Sequence, residues 1–424
     1  MVPGPTGGGG AGAGTSGGGD VADGGHGGHG GDGDTGGGEA GGGGTGGAGG
    51  NGGEGGMGGG GPNALPICNE LLTEGCATIT QLALGGEHSC ALASDGYVRC
   101  WGSNIEGQLG DPSLQGLSNH PPRVVPTLSQ VEQIAAGEQH VCALIAKKVW
   151  CWGGNASGEL GSANPSSSAQ PLEVVLPPVA SIASGFGTTC AVLDSGGVMC
   201  WGRLLNGQPW DGMDNSPTPT LVQGLSGMTV GKISLGNTVG CAQAQDGSEV
   251  RCWGNNSAGT LGDGTTMSRA SAASVSSALF TPSVALGLGT RACAIGGSPL
   301  KLQCWGNVGS SNYAQPTELS YFPATGYNDV VAGWGHICLR DDQSAVSCFS
   351  YGYFGELGIL GGNGEWIAPP VHVVGGVSQL ATGWQHLCAL LDSGAVQCWG
   401  RNVRGQVDPA DSNEEVRNPA SVVF

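Results

Sequence analysis

Short runs of alternating apolar and polar residues recur along the chain from Ala77 onward, and Gly, Asn, Asp and Pro bound each run. In the first unit these runs are residues 79–85, 88–92, 98–102 and 122–125. Alternation with a period of two residues is typical of half-buried strands. The pattern returns after roughly 50 residues, seven times in all, and a repeat of that length favours a propeller or a solenoid. We therefore predict an all-β domain of seven repeats, each with four short strands.

Each repeat contains two cysteines, 9 to 11 residues apart. In the first repeat Ser94-Asp95-Gly96 suits a hairpin loop, and pairing outward from this loop places Cys90 opposite Cys100. The two cysteines then fall at a non-hydrogen-bonded site, where the Cα atoms are close enough for a disulfide. Three residues separate each cysteine from the loop in every repeat, so the register is constant and only the loop varies in length.

Eight disulfides account for all 16 cysteines, which indicates an oxidising compartment outside the cytoplasm. The alternative is that the cysteines are small buried packing residues in a reduced protein. A zinc site is disfavoured because no Cys-x-x-Cys pair or neighbouring His pair has the usual spacing. The predicted disulfides are Cys68–Cys76, Cys90–Cys100, Cys142–Cys151, Cys190–Cys200, Cys241–Cys252, Cys293–Cys304, Cys338–Cys348 and Cys388–Cys398.

Gly dominates residues 1–61, which have little apolar surface to bury. We expect residues 1–62 to be a disordered Gly-rich tether, residues 63–76 a lead-in with one disulfide, and residues 77–424 the propeller. The formal net charge of −19 disfavours nucleic acid and anionic membrane surfaces as partners. No apolar stretch is long enough to span a bilayer, and no signal peptide is visible. An export signal or a lipid anchor upstream of the tether would reconcile this with the disulfides.

Three elements recur in order over residues 77–424, namely Gly-x-x-His-x-Cys-Ala-Leu, Cys-Trp-Gly and Gly-Gln-Leu-Gly. They resemble the repeats of the regulator of chromosome condensation family, and the chain looks like a bacterial secreted or lipoprotein-like member. The resemblance implies a seven-bladed β-propeller. Each repeat's last strand leads directly into the next repeat, so we expect residues 418–424 to lie beside residues 78–85 and close the ring. Thr188, Val239 and Arg291 replace the His of the pattern, and Phe349 replaces the Trp.

The histidines and tryptophans of the repeats are interpreted as structural residues. No nucleophile or carboxylate lies in register with the histidines, which favours buried, hydrogen-bonded side chains over catalysis. The tryptophans of Cys-Trp-Gly are expected to pack between blades. We predict no catalytic centre, metal or cofactor. The histidines concerned are His88, His140, His336 and His386.

The turn after the first strand differs from repeat to repeat and includes three large aromatic residues. In a propeller such turns form a ring around one end of the central channel, and exposed aromatics on a rigid scaffold are typical interface anchors. The alternative is that these aromatics pack against neighbouring turns. The candidate partner-binding residues of the turns are Glu87, Glu138, Phe186, Asn237, Trp334 and Trp384. Weaker candidates in other loops are Trp210, Tyr353, Phe354 and Trp366.

The leading hypothesis is a non-enzymatic binding module, an exported or surface-tethered monomer that recognises another protein through one loop face. The resemblance permits this, since one secreted class of the family inhibits β-lactamases through an aromatic-rich face. Guanine-nucleotide exchange on a small GTPase, the activity of the family's namesake, is the alternative, but it needs a cytosolic or nuclear setting. Light sensing, as in a plant ultraviolet receptor of the family, is disfavoured because the Gly-Trp-x-His motifs at 333–336 and 383–386 lack an Arg between Trp and His.

Overall fold

The computed structural model describes most of the chain from residue 64 onward. The predicted tether, residues 1–62, lies outside the described residues, as do Trp210, Tyr353 and Phe354. Backbone alone is described for 283–286, 350–351 and 366–372. The described residues are 64–68, 74–203, 215–276, 283–286, 291–296, 301–308, 311–319, 326–351, 355–358 and 366–424.

Seven antiparallel four-stranded sheets make up the described part of the chain, and each uses four consecutive strands. The seven-bladed all-β propeller is therefore confirmed. Blades 1 to 4 contain β1 Ile79–Leu84, β2 His88–Ala93, β3 Val98–Gly102, β4 His120–Val124; β5 Gln133–Ala136, β6 His140–Ile145, β7 Lys148–Gly154, β8 Ser167–Val174; β9 Val179–Ser184, β10 Thr188–Leu193, β11 Val198–Arg203, β12 Asn215–Leu221; and β13 Val230–Leu235, β14 Val239–Ala244, β15 Val250–Gly254, β16 Arg269–Ser274. Blades 5 to 7 contain β17 Ser283–Leu286, β18 Arg291–Gly296, β19 Lys301–Val308, β20 Ser311–Glu318; β21 Tyr327–Ala332, β22 His336–Asp341, β23 Val346–Tyr351, β24 Trp366–Val374; and β25 Val377–Thr382, β26 His386–Leu391, β27 Val396–Arg401, β28 Glu415–Ser421.

The first strand of every blade lies at the centre of the ring, where β1 contacts both β5 and β25. The fourth strand is therefore the outer edge of its blade. Because the four strands are consecutive in sequence, no blade is completed by a strand from the other end of the chain.

The C-terminal segment reaches the first blade through side chains. β28 forms its strand hydrogen bonds with β27, where Ser421 lies opposite Gln397, so residues 418–424 do not extend the sheet of β1. Phe424 instead packs edge-on against Trp101 of blade 1, with ring centroids 5.6 Å apart. Val422 and Phe424 join the apolar cluster that contains Ile79. Side-chain packing thus closes the ring where the two ends of the domain meet.

All 16 cysteines form the eight predicted pairs at disulfide distance. In the blades the paired Cα atoms are 4.1 Å apart, the close approach of a non-hydrogen-bonded antiparallel pair. Cys90 lies directly opposite Cys100 in the ladder, as the loop spacing predicts. The eighth pair, Cys68–Cys76, lies in the segment before β1. This segment also contacts blade 1, because the carbonyl of Leu65 accepts a hydrogen bond from Arg99.

The tryptophans of Cys-Trp-Gly connect a blade to the one before it in five of the seven blades. All six are fully buried. The indole Nε1 of Trp152 donates to the carbonyl of Gln108 in the preceding blade at 2.9 Å. Since the carbonyl comes from the Gly-Gln-Leu-Gly element or its equivalent, two of the recurring motifs meet at five of the blade interfaces. The same bond is made by Trp101, Trp201, Trp305 and Trp399.

Glutamine side chains connect the innermost strands. Gln81 donates through Nε2 to the carbonyl of Ile134 and accepts through Oε1 from its N–H, each at 2.9 Å. The side-chain amide thus pairs with the next blade's backbone as a peptide group would. Gln133 and Gln379 make the equivalent contacts with blades 3 and 1. The corresponding residues in blades 3, 4 and 6 are Ser181, Lys232 and Asp329.

The four repeat histidines are buried between blades. Nε2 of His140 is 2.7 Å from the Thr189 hydroxyl of blade 3, and Nε2 of His386 is 2.9 Å from the Ser89 hydroxyl of blade 1. His336 makes a similar contact with a threonine of blade 7. For His88, neither ring nitrogen has a hydrogen-bond partner among the described residues. Burial lowers the pKa of His88, His336 and His386 to about 3 and that of His140 to about 4, so all four histidines are neutral at pH 7.

Phe424→Ala should lower the free energy of unfolding by about 2 kcal/mol, because it removes a partly buried ring from the closure of the propeller. Val423→Ala is the matched control, since Val423 is 83% exposed, and should change stability little. Urea unfolding of the oxidised protein measures both. Equal effects of the two substitutions would contradict closure through Phe424.

Acid should destabilise the fold partly through His88. Its pKa is about 3 in the folded chain and about 6.5 when unfolded, so below pH 6.5 the unfolded state binds the extra proton and stability falls as pH falls. Between about pH 6.5 and about pH 5, the free energy of unfolding of His88→Leu should therefore fall by about 2 kcal/mol less than that of the natural chain. His120→Leu, at a half-exposed histidine whose pKa burial also lowers, should reduce the acid-induced loss of stability by a smaller amount. Parallel stability curves for His88→Leu and the natural chain would refute this.

Candidate functional site

The turns between the first and second strands lie at one end of the channel. Their glycines are dictated by the histidines, because a Cβ added at Gly85 or Gly137 would overlap the imidazole of His88 or His140. Backbone hydrogen bonds run from turn to turn around part of the ring, and we call these turns the turn ring. The bonds join Trp334 N to Trp384 O at 3.1 Å, Trp384 N to Gly85 O at 3.1 Å, Gly86 N to Glu138 O at 2.9 Å and Glu138 N to Phe186 O at 2.6 Å.

Three aromatic side chains of the turn ring meet over the channel. Trp384 of blade 7 contacts Phe186 of blade 3 and Trp334 of blade 6, each with centroids 6.2 Å apart and near-perpendicular rings. Such edge-to-face contacts are the favoured geometry of aromatic pairs. We call these residues the aromatic triad. Phe186 and Trp384 are half-buried, whereas Trp334 is 43% exposed. The triad therefore combines packing between turns with a large apolar surface that is open to solvent.

A cavity of about 360 Å³ lies beneath the triad, inside the channel. Phe186, Trp384 and Glu138 line its mouth together with the backbone of Gly86. Its wall is formed by the first strands, which contribute both apolar and polar side chains. Among the polar ones are Ser184, Lys232, Ser234, Asp329, Gln379 and Thr382.

The acidic residues of the turn ring differ in their partners. Glu87 forms an ion pair with Arg404 at 3.4 Å. Glu138 makes no side-chain hydrogen bond and no ion pair within the described part of the chain. Burial raises the pKa of Glu138 to about 7; among the nearby charges Arg203 has the largest effect and lowers this pKa, while Glu159 and Glu87 raise it. The guanidinium of Arg203 itself stacks over Phe186, 5.4 Å from the ring centroid.

The remaining candidates are spread more widely. Asn237 is half-buried in the turn of blade 4. Trp366 begins β24 and its backbone pairs with Tyr351, but its side chain is outside what the structure describes. Arg203 and Glu159 were missed by the sequence reasoning. The sequence signal for Arg203 is its position directly after Cys-Trp-Gly. A residue at this position lies next to the turn of its own blade, as the hydrogen bond from Arg203 N to Gly187 O shows.

No group of three or more His, Cys, Asp or Glu side chains is placed to hold a metal ion in the part of the molecule that the structure describes. Nor does any helix within it have the length and apolar character needed to cross a bilayer.

Two family models of the regulator of chromosome condensation (RCC1) repeat match the chain. One matches residues 79–108, 179–208 and 377–406, and the other matches residues 95–144. The chain therefore contains repeats of the regulator of chromosome condensation family, and they are arranged as a seven-bladed propeller.

Among curated relatives, human E3 ubiquitin-protein ligase HERC2 is 31% identical over 201 residues, which is 44% of this chain and 4% of that protein. The human probable E3 ubiquitin-protein ligase HERC3 is 33% identical over 196 residues, 45% of this chain and 19% of that protein. The similarity thus covers less than a fifth of the length of either relative.

Solved structures share the fold at low sequence identity. Prp20p from Saccharomyces cerevisiae is 18% identical with a TM-score of 0.66, over 82% of this chain and 87% of that chain. Human WBSCR16 is 20% identical with a TM-score of 0.65, over 77% of this chain and 94% of that chain. At this identity the likeness concerns the fold alone.

Proposed function

We propose that the chain is a non-enzymatic protein-binding module that works outside the cytoplasm and holds a partner protein against the turn ring. The observation that carries this is the exposed Trp334, which rests on Trp384 in a hydrogen-bonded ring of turns. A large aromatic side chain that is already held in place loses little conformational entropy on binding, and Trp is enriched among the residues that dominate binding energy.

The compartment is inferred from the cysteines. Eight pairs at disulfide distance support an oxidising environment. In the proposed arrangement, residues 77–424 form the binding domain, residues 63–76 its lead-in and residues 1–62 a tether to the cell surface.

Two other activities are suggested by the relatives' names. The study of Prp20p reports binding to Gsp1p and histones, and the HERC proteins are named as ligases. The first likeness shows only the fold, and the second covers a small share of the ligases. We propose no catalytic role, since the described residues of the turn ring bring together aromatics and carboxylates but no nucleophile paired with a base. Eight disulfides also weigh against a GTPase exchange factor in the cytosol or nucleus.

Trp334→Ala should weaken partner binding at least about tenfold, because it removes the exposed anchor of the triad. The full oxidised chain is immobilised and exposed to surface and secreted proteins of its native cells, and the affinity for the captured partner is then measured with purified components. Leu221→Ala is the matched control. Leu221 is 47% exposed on β12, the outer strand of blade 3, and pairs with Met199 near the start of β11, so it lies on the face opposite the turn ring.

Leu221→Ala should bind the partner as the natural chain does, and both variants should keep its thermal unfolding midpoint. Undiminished affinity of Trp334→Ala would exclude the turn ring as the binding face. If none of these proteins binds the chain specifically and saturably, that result would count against the binding function itself.

A further inference from the structure

Glu138 is the acidic residue of the turn ring whose charge is least compensated. Its neighbour Glu87 has Arg404 at 3.4 Å, whereas the Glu138 carboxylate has no ion pair among the described residues. Withdrawing a carboxylate from water without a counter-charge is unfavourable. No ion pair among the described residues offsets this cost, and Arg203 offsets only part of it.

The other charges near Glu138 are predominantly negative. Glu159, on the loop after β7, and Glu87, on the turn of blade 1, both act against its ionisation. Arg203 at the end of β11 is the cation that favours it, and its guanidinium lies over the Phe186 ring. Deeper in the channel, Lys232 and Asp329 carry opposite charges. A second cation at the mouth would therefore be attracted by three carboxylates, those of Glu138, Glu159 and Glu87, and repelled by Arg203.

The walls around Glu138 suit an aliphatic stem better than a bare ion. Phe186 and Trp384 line the same cavity as Glu138, and at Gly86 only backbone faces it. Lysine and arginine bury their methylene stems against apolar surfaces while the charged end pairs with a carboxylate, and aromatic faces add cation–π attraction. The cavity volume of about 360 Å³ is within the range of ordinary ligand sites.

We propose that the partner protein inserts a lysine or arginine side chain into the channel mouth, with its stem against Phe186 and Trp384 and its charged end at Glu138. This rests on the proposed function, because the occupant belongs to the partner held on the turn ring. It adds the chemistry of the contact: a basic residue on a protruding loop, next to an apolar surface that covers Trp334.

The pH dependence follows from the carboxyl group. Only its ionised form pairs with a cation, and burial raises its pKa to about 7. Lowering the pH from about 8 to about 6 converts most of it to the neutral acid, so binding of the cation should weaken by up to about tenfold. Burial also raises the pKa of Glu159, so protonation of Glu159 at lower pH should weaken cation binding as well.

The test uses N-acetyl-lysine methylamide as probe and N-acetyl-norleucine methylamide as its uncharged isostere. Titrations of the full chain are followed by the Trp334 and Trp384 indole signals in tryptophan-labelled NMR spectra. We expect the lysine probe to bind several-fold more tightly than norleucine at about pH 8, and that advantage to shrink towards about pH 6. Glu138→Gln should abolish the advantage. Glu106→Gln is the control, a half-buried glutamate on the loop after β3 and outside the cavity lining.

Glu138→Gln removes a carboxylate without a partner, so its thermal unfolding midpoint should equal or exceed that of the natural chain, which shows that the variant is folded. Equal binding of the two probes, or a lysine advantage that survives in Glu138→Gln, would overturn the inference. If Trp334→Ala abolishes partner binding while Glu138→Gln leaves it unchanged, the proposed function stands and this inference falls.

Discussion

A disulfide joins the second and third strands at the middle of each blade, and the register that it fixes determines how the blades meet. With Cys90 opposite Cys100, His88 lies opposite Gly102 and Trp101 opposite Ser89. The histidine and the tryptophan are thereby presented to the two neighbouring blades. Because their spacing from the cysteine is constant, one local constraint, repeated seven times, positions the histidine and tryptophan contacts between blades.

Because buried residues join the blades, the side chains of the turn ring can vary from one blade to the next. The blades are joined by buried side chains that bind backbone carbonyls, as Trp152 binds the carbonyl of Gln108. Such contacts tolerate changes in the side chains of the turns. Side chains of the turns are consequently available for recognition. Trp334, Trp384 and Phe186 come from three different blades, yet they form one continuous surface on a hydrogen-bonded base. Such a preorganised surface binds with a small entropic cost.

The sequence predicts the repeated parts of this structure well, because strand alternation, loop spacing and cysteine register are local properties. It also identifies which residues occupy the turns. It does not predict that Phe186 reaches Trp384 across the channel or that Glu138 forms no ion pair within the described part of the chain, since both depend on the curvature of the whole ring. The sequence predicts that residues 418–424 lie beside the first blade, but it does not predict that they meet this blade through the Phe424 ring while the last strand pairs within its own blade. The partner-binding role of the turn residues stays a prediction.

The most direct test of this account is non-reducing peptide mapping by mass spectrometry on protein isolated from its native cells. The account predicts eight linked pairs, seven joining the two strands of one hairpin and one joining Cys68 to Cys76. That result would place the propeller in an oxidising compartment, where a surface-exposed binding module belongs. Unlinked thiols throughout would contradict the account, reduce the cysteines to packing residues and favour an intracellular role.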